Sequence, residues 1–166
     1  AAAGQGITWK HGLNTAVTGT SAPIGDHQTE GVKVAIKAIA DAGGPTIQLS
    51  VNDHKGGDVN ASVNGVRRLI TQEGIQSLTT SWSGCTIALF PVLAENKLMT
   101  YWSGGANPAV VNQPYIWSTM MFFAIGPCPG SLAWLAKTYP NAKKLAIIGA
   151  SDAGTDAVDK VAPQIW

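Results

Sequence analysis

Residues 46–80 read TIQLSVNDHKGGDVNASVNGVRRLITQEGIQSLTT, and three patterns follow one another in them. Thr46 to Val51 is a short β-prone run that ends on Asn52-Asp53. From about Asp58 to Gln72 the spacing changes: Val59, Val63, Val66 and Ile70 fall on one face of a helix, and Gly74 is placed to end it. Ile75 to Thr80 then returns to a strand. A strand, a crossover helix and a second strand form the unit from which parallel sheets are built.

The same alternation extends in both directions. Upstream, Ile7 to Val17 reads as a strand, Thr18 to Pro23 as a loop, and Asp26 to Ala42 as a helix with Asp26 as N-cap. Val32, Ala35, Ile36 and Ile39 form its apolar stripe, and Gly43-Gly44-Pro45 stops it. Downstream, Ser81-Trp82-Ser83-Gly84 turns into a helix from about Cys85 to Glu95. Lys97 to Trp102 is a fourth strand, residues 103–108 a loop, and Tyr115 to Ser118 a short fifth strand. A Pro/Gly-rich crossing leads to a helix near Ser131 to Tyr139, a strand from Lys144 to Ile148 and a last helix near Thr155 to Val161. The expected fold is therefore α/β, a Rossmann-like parallel sheet with helices on both faces. Ligands of such sheets bind beyond the carboxyl ends of the strands. Here those ends are the loops at 18–25, 53–57, 81–85 and 103–107, all rich in small polar residues and glycine.

Composition narrows the function. Hydrophobic residues are 45% and charged residues 13% of the 166, so the chain is globular and not disordered. The net charge is +1 with no block of either sign, which argues against a nucleic-acid groove. No apolar run is long enough for a bilayer, so no membrane insertion is expected. Ala1-Ala2-Ala3 is either the trace of a removed export signal or a processing scar. Cys85 and Cys128 lack metal-site spacing and are open to two readings, one disulfide or two buried thiols.

Six phrases in register resemble the type I periplasmic solute-binding proteins of the branched-chain amino acid class. They are Thr18-Gly19 with Gly25-Asp26 and Gly31 to Ile36; Ala40 to Gly44 with Asp53; Arg68-Leu69-Ile70 with Gly74-Ile75; Ser81 to Gly84 with Pro91-Val92 and Glu95-Asn96; Asn107-Pro108-Ala109; and Lys143 to Ile148. The resemblance implies a two-lobed venus-flytrap fold that closes on a ligand. Residues 1–118 would belong to the first lobe, and 119–166 would be the crossover and the start of a second, incomplete one. Family members are about twice as long, so the chain is expected to be the N-terminal part of such a protein.

The resemblance also assigns the candidate site. Ser83, with Gly84, would cap the third helix and hold a ligand carboxylate; a plain N-cap role is the structural alternative. Gly104, Gly105 and Ala106 would form the second binding loop. Ala106 stands where family members carry a threonine, which speaks against an ordinary α-amino acid. Trp82 and Trp102 flank these loops as stacking surfaces or as core. Ile24 takes a position that is often aromatic, and Phe122 and Phe123 lie on the crossing segment. Asp53 is expected to tie loops together through backbone hydrogen bonds. Ser118 replaces a common arginine, and Ala153-Gly154 replaces a common Tyr-Gly. The implied ligand is a small carboxylate, an amino acid or an aromatic or apolar acid.

Nothing in the sequence points to catalysis. His11, His27 and His54 are scattered, and there is no Gly-x-Ser-x-Gly elbow, no Gly-x-Gly-x-x-Gly after the first strand and no Walker A loop. No catalytic residue, metal or cofactor is expected. The implied partner is the membrane permease of an ABC importer, and the implied location is periplasmic or secreted. A flavodoxin-like enzyme or nucleotide-binding domain is the competing class, and would bind phosphate at the loop 18–25. The ligand-sensing ectodomain of a receptor is the third reading.

Overall fold

In a computed structural model, residues 6–105, 107–119, 126–149 and 151–166 are described. The first strand, β1 (Thr8–Thr15), runs into α1 (Ala22–Asp41). Next come β2 (Thr46–Asp53), α2 (Val59–Arg68), β3 (Ser77–Thr80), α3 (Ser83–Glu95), β4 (Met99–Trp102) and β5 (Ile116–Ser118). Two further helices follow, α4 (Pro127–Thr138) and α5 (Ala153–Val161). The five strands form one sheet in the order β2-β1-β3-β4-β5, and every pairing is parallel.

Side-chain parity sorts the helices onto two faces. On one face α2 and α3 bury Val66, Leu69, Leu89, Val92 and Leu93 against Leu78 of β3, and Ile75 and Leu98 close the cluster. Gly12 of β1 faces the same way, and a Cβ there would sit 2.7 Å from the Ile75 methyl. Asn14, two residues on, is fully buried. Its amide donates to Ser62 Oγ at 2.8 Å and Thr80 Oγ1 at 3.1 Å, and its Oδ1 accepts from Asn52 Nδ2 at 2.8 Å. Every hydrogen-bonding atom of that side chain is therefore used, as burial demands.

The odd positions of β1 face α1. Trp9 Nε1 donates to Ser77 Oγ at 2.8 Å, and the His11 ring lies between Ser77 Oγ (2.7 Å) and Thr79 Oγ1 (3.0 Å). Thr15 Oγ1 donates to Gln28 Oε1 of α1 at 2.5 Å. The helix approaches so closely here that a Cβ on Gly25 would overlap the Ala16 carbonyl, a position only glycine can fill. Over β4 and β5 no described helix covers this face, and Tyr101 and Trp117 are exposed.

Several boundaries differ from the expectations. Helix α1 begins at Ala22, not Asp26, because Pro23 fits the first turn of a helix and Ser21 becomes the N-cap. Asp58 does cap α2, accepting from Ala61 N–H at 2.9 Å. A π-helical turn, Leu69–Glu73, extends α2 to Gly74, which ends it in the left-handed conformation. Helix α4 starts four positions earlier than Ser131, at Pro127. Residues 144–148 form no strand, and Ile148 is 99% exposed. A strand needs a neighbour, and no described strand lies beside this segment. Cys85 and Cys128 are both buried free thiols.

Candidate functional site

Because all five strands run in parallel, their carboxyl ends share one edge: Thr15, Asp53, Thr80, Trp102 and Ser118. The loops leaving that edge are held by specific bonds. Asp53 accepts at Oδ1 from the amides of Val17 (2.9 Å), Thr18 (3.2 Å) and Lys55 (2.7 Å), and at Oδ2 from Thr18 Oγ1 (2.6 Å). Burial pushes the Asp53 pKa up, but these four bonds outweigh it and hold the carboxyl at about 2. The expected loop-tying role of Asp53 is thus present. It also bears on the flavodoxin-like alternative, since the amides that would cradle a phosphate after β1 already serve a carboxylate. Gln28 Oε1 accepts a second bond, from Ser81 Oγ at 3.1 Å, and so braces the ends of β1 and β3 together.

The N-terminus of α3 is the centre of the edge. Thr86 N–H makes the first intrahelical bond, to Trp82 O at 3.0 Å. The amides of Gly84 and Cys85 lie ahead of it, with the positive end of the helix dipole behind them. Ser83 is the first helical residue and not the N-cap; Trp82 takes the cap position, with φ 63 and no side-chain cap bond. A positive φ is uncommon for a residue with a large side chain, and such backbone strain clusters at functional positions. The Trp82 ring packs against His54, edge-on, with centroids 4.8 Å apart.

His54 is fully buried at the end of β2. Its N–H donates to Thr15 O at 2.9 Å, and its Nδ1 accepts from Gly57 N–H at 3.1 Å. Burial depresses its pKa, so the ring is neutral with its proton on Nε2. Among the described residues Nε2 has no hydrogen-bond partner.

The loop after β4 folds down onto α3. Gly105 adopts φ +150 and crosses so near Ser83 that a Cβ would lie 2.5 Å from Ser83 Oγ and overlap the Trp102 ring. Asn107 N–H donates to Ser83 Oγ at 3.3 Å. Asn107 Oδ1 accepts from Ala109 N–H at 2.9 Å, and Asn107 Nδ2 donates to Ala153 O, at the start of α5, at 2.8 Å. Asp152 caps α5 by accepting from Thr155 N–H at 2.8 Å. Two helix N-termini, those of α3 and α5, therefore meet at one loop. An anion at the α3 end would face its oriented amides, whereas at α5 the Asp152 carboxylate already serves as cap and the Ala153 carbonyl is the group turned to Asn107.

The structure brings Ser83, Gly84, Trp82 and Gly105 together, with Gly104 beside them in the same loop. Trp102 is buried (1% exposed) beneath Gly105, so it is the floor of the loop and not an open stacking surface. Ile24 is 55% exposed in the first turns of α1. Ala106, Phe122 and Phe123 lie outside the described residues. Sequence reasoning passed over Gln28, His54 and Asn107 as site residues. Asn107 precedes a proline, the pattern of an Asx-capped turn, and His54 directly follows a strand end; both signals are local and weak. Among the described residues no three His, Cys, Asp or Glu side chains group as a metal site, and no helix is long and apolar enough to cross a membrane.

Comparison with known proteins gives one family. A family model described as periplasmic binding protein matches residues 8–166. Comparison with curated protein sequences gave no match. Among solved structures, the substrate-binding protein of a branched-chain amino acid transporter from Streptococcus pneumoniae, in complex with isoleucine, superposes with a TM-score of 0.81 at 20% identity, over 96% of this chain and 47% of that one. An ABC-transporter solute-binding protein from Rhodopseudomonas palustris, in complex with 4-hydroxybenzoate, gives 0.75 at 23% identity, over 95% and 44%. A third, from R. palustris BisB5 in complex with 3,4-dihydroxybenzoic acid, gives 0.78 at 20% identity, over 95% and 44%. The chain thus spans less than half the length of each of these structures.

Proposed function

This chain belongs to the periplasmic binding protein family, and from that premise we propose that it serves as the extracytoplasmic solute-binding component of an ABC importer for a small carboxylate, aromatic or apolar. The observation that carries the reading is the strand-end edge, where the N-termini of α3 and α5 meet at the loop holding Gly105 and Asn107. A carboxylate there would gain the oriented amides and the positive end of α3. The three superposed proteins carry isoleucine, 4-hydroxybenzoate or 3,4-dihydroxybenzoic acid, which have a carboxyl group in common. Trp82, half-buried at the α3 N-terminus, offers an aromatic surface to the rest of such a ligand.

The mechanism is binding and closure. Residues 1–118 make the first lobe, and 119–166 the crossover and the opening of the second. A ligand favours the closed arrangement only to the extent that it contacts both lobes. The closed form is then what the permease recognises. No bond is made or broken, and the protein acts without cofactor outside the cytoplasm.

Calorimetric titration with 4-hydroxybenzoate, L-isoleucine and the uncharged analogue 4-hydroxybenzamide tests the reading. At least one acid should bind, and 4-hydroxybenzamide should bind at least ~100-fold more weakly than 4-hydroxybenzoate, the loss of a charge-assisted contact. Equal binding of the acid and its amide, or no binding of either acid, overturns it.

A further inference from the structure

Asn107 links the N-terminus of α3 to α5 through two different parts of the residue, its backbone N–H toward Ser83 and its side chain toward Ala109 and Ala153. Its N–H donates to Ser83 Oγ (3.3 Å), its Oδ1 accepts from Ala109 N–H (2.9 Å), and its Nδ2 donates to Ala153 O (2.8 Å), across 46 residues of chain. The Ala109 bond fixes the direction of the side chain, because with Oδ1 held inward the amide nitrogen is the group left facing α5. The backbone bond sets where the loop lies over Ser83. Movement of Ser83 and movement of α5 are therefore connected through one residue two bonds deep. Gly84 and Ala153 pack nearby, with a Cβ on Gly84 standing 4.0 Å from the Ala153 Cβ, so α5 rests directly on the α3 N-terminus.

We infer that Asn107 is a positioning residue that latches the second lobe onto the ligand-binding end of α3, so that occupancy at Ser83 and docking of α5 are coupled. This rests on the carboxylate-binding reading above, but the latch itself is present without ligand. A carboxylate that hydrogen-bonds near Ser83 would restrain the backbone at Asn107 and, with it, the side chain that holds Ala153. Conversely, undocking α5 would release the loop that holds Ser83. Coupling of this kind is reciprocal: whatever ligand contributes to docking, docking contributes to ligand affinity.

Asn107→Asp is the informative variant. It keeps the size and the Oδ1 that accepts from Ala109, but sets a carboxylate oxygen against the Ala153 carbonyl in place of a donor. Asn107→Ala removes the side-chain bonds to Ala109 and Ala153, keeps the backbone bond to Ser83, and separates repulsion from simple loss. Hydrogen–deuterium exchange of the full chain without ligand should show the α5 amides exchanging ~10-fold faster in Asn107→Asp, with α2 and α3 unchanged. Unchanged α5 exchange in both variants overturns the latch. With saturating 4-hydroxybenzoate as the probe, wild type should gain protection at both the α3 N-terminus and α5, and Asn107→Asp at the former only. Equal α5 protection in wild type and variant overturns the coupling. If neither 4-hydroxybenzoate nor L-isoleucine protects any segment of wild type, the carboxylate reading fails, while the ligand-free comparison still decides the latch.

Discussion

Gly105 lies with its backbone across the Ser83 hydroxyl and the Trp102 ring, and this is the tightest restraint in the site. A methyl group there meets Ser83 Oγ at 2.5 Å and the indole as well, and the φ of +150 is itself unfavourable for any other residue. Gly105→Ala should therefore lift the loop and cost about 2 kcal/mol of stability. Chemical denaturation checks the stability, and the loss of acid binding should exceed what the stability change accounts for. In the sequence Gly104 and Gly105 were legible as part of a binding loop, through the family resemblance. What the sequence could not give was the partner: that Gly105 is needed because Ser83, far away along the chain, lies directly beneath it. Trp102 makes the same point in reverse. Its place at a strand end left it open as a stacking surface or as core, and parity and the descending loop make it core.

Helices and strands were largely readable because each carries its own periodicity, and the elements that were misplaced depended on something outside themselves. Helix α2 was placed well, since Asp58, the Val63 and Val66 face and Gly74 are all local signals. Asp58→Ala should cost about 1 kcal/mol by freeing the Ala61 amide, measured as a lower urea midpoint with an unchanged slope. Helix α1 started early because Pro23 starts helices as readily as it breaks loops. The segment 144–148 has strand composition but no described strand beside it, and pattern alone cannot supply a neighbour. At the N-terminus of α3 the expected cap, Ser83, is inside the helix, and the strained Trp82 holds the boundary. No propensity argument selects a tryptophan at positive φ; its packing on His54 does.

At the scale of the whole molecule, two neutral histidines, the buried His54 and the half-buried His11, set the pH dependence of stability. Burial depresses the pKa of both His11 and His54 below the ordinary value of about 6.5. Well above that value both histidines are neutral in the folded and the unfolded state, and they contribute no dependence. As pH falls below it, the unfolded chain takes up protons that the folded one refuses, so stability falls toward the depressed values. Thermal midpoints should therefore drop as pH falls below about 6.5, and His54→Gln should flatten that slope. Asp53 acts only at lower pH, where loss of its charge as pH falls from the ordinary carboxylate range toward about 2 would release the loops at 17–18 and 55. The order of the strands also has a consequence in time. β1 is made first but lies between β2 and β3, with His11 paired to Ser77 far along the chain. At ~5–20 residues per second of synthesis, seconds pass before its second neighbour exists. Until then the first strand has no finished sheet to enter, and the nascent chain stays open for seconds, a delay that suits the proposed extracytoplasmic role if the chain is exported before it folds.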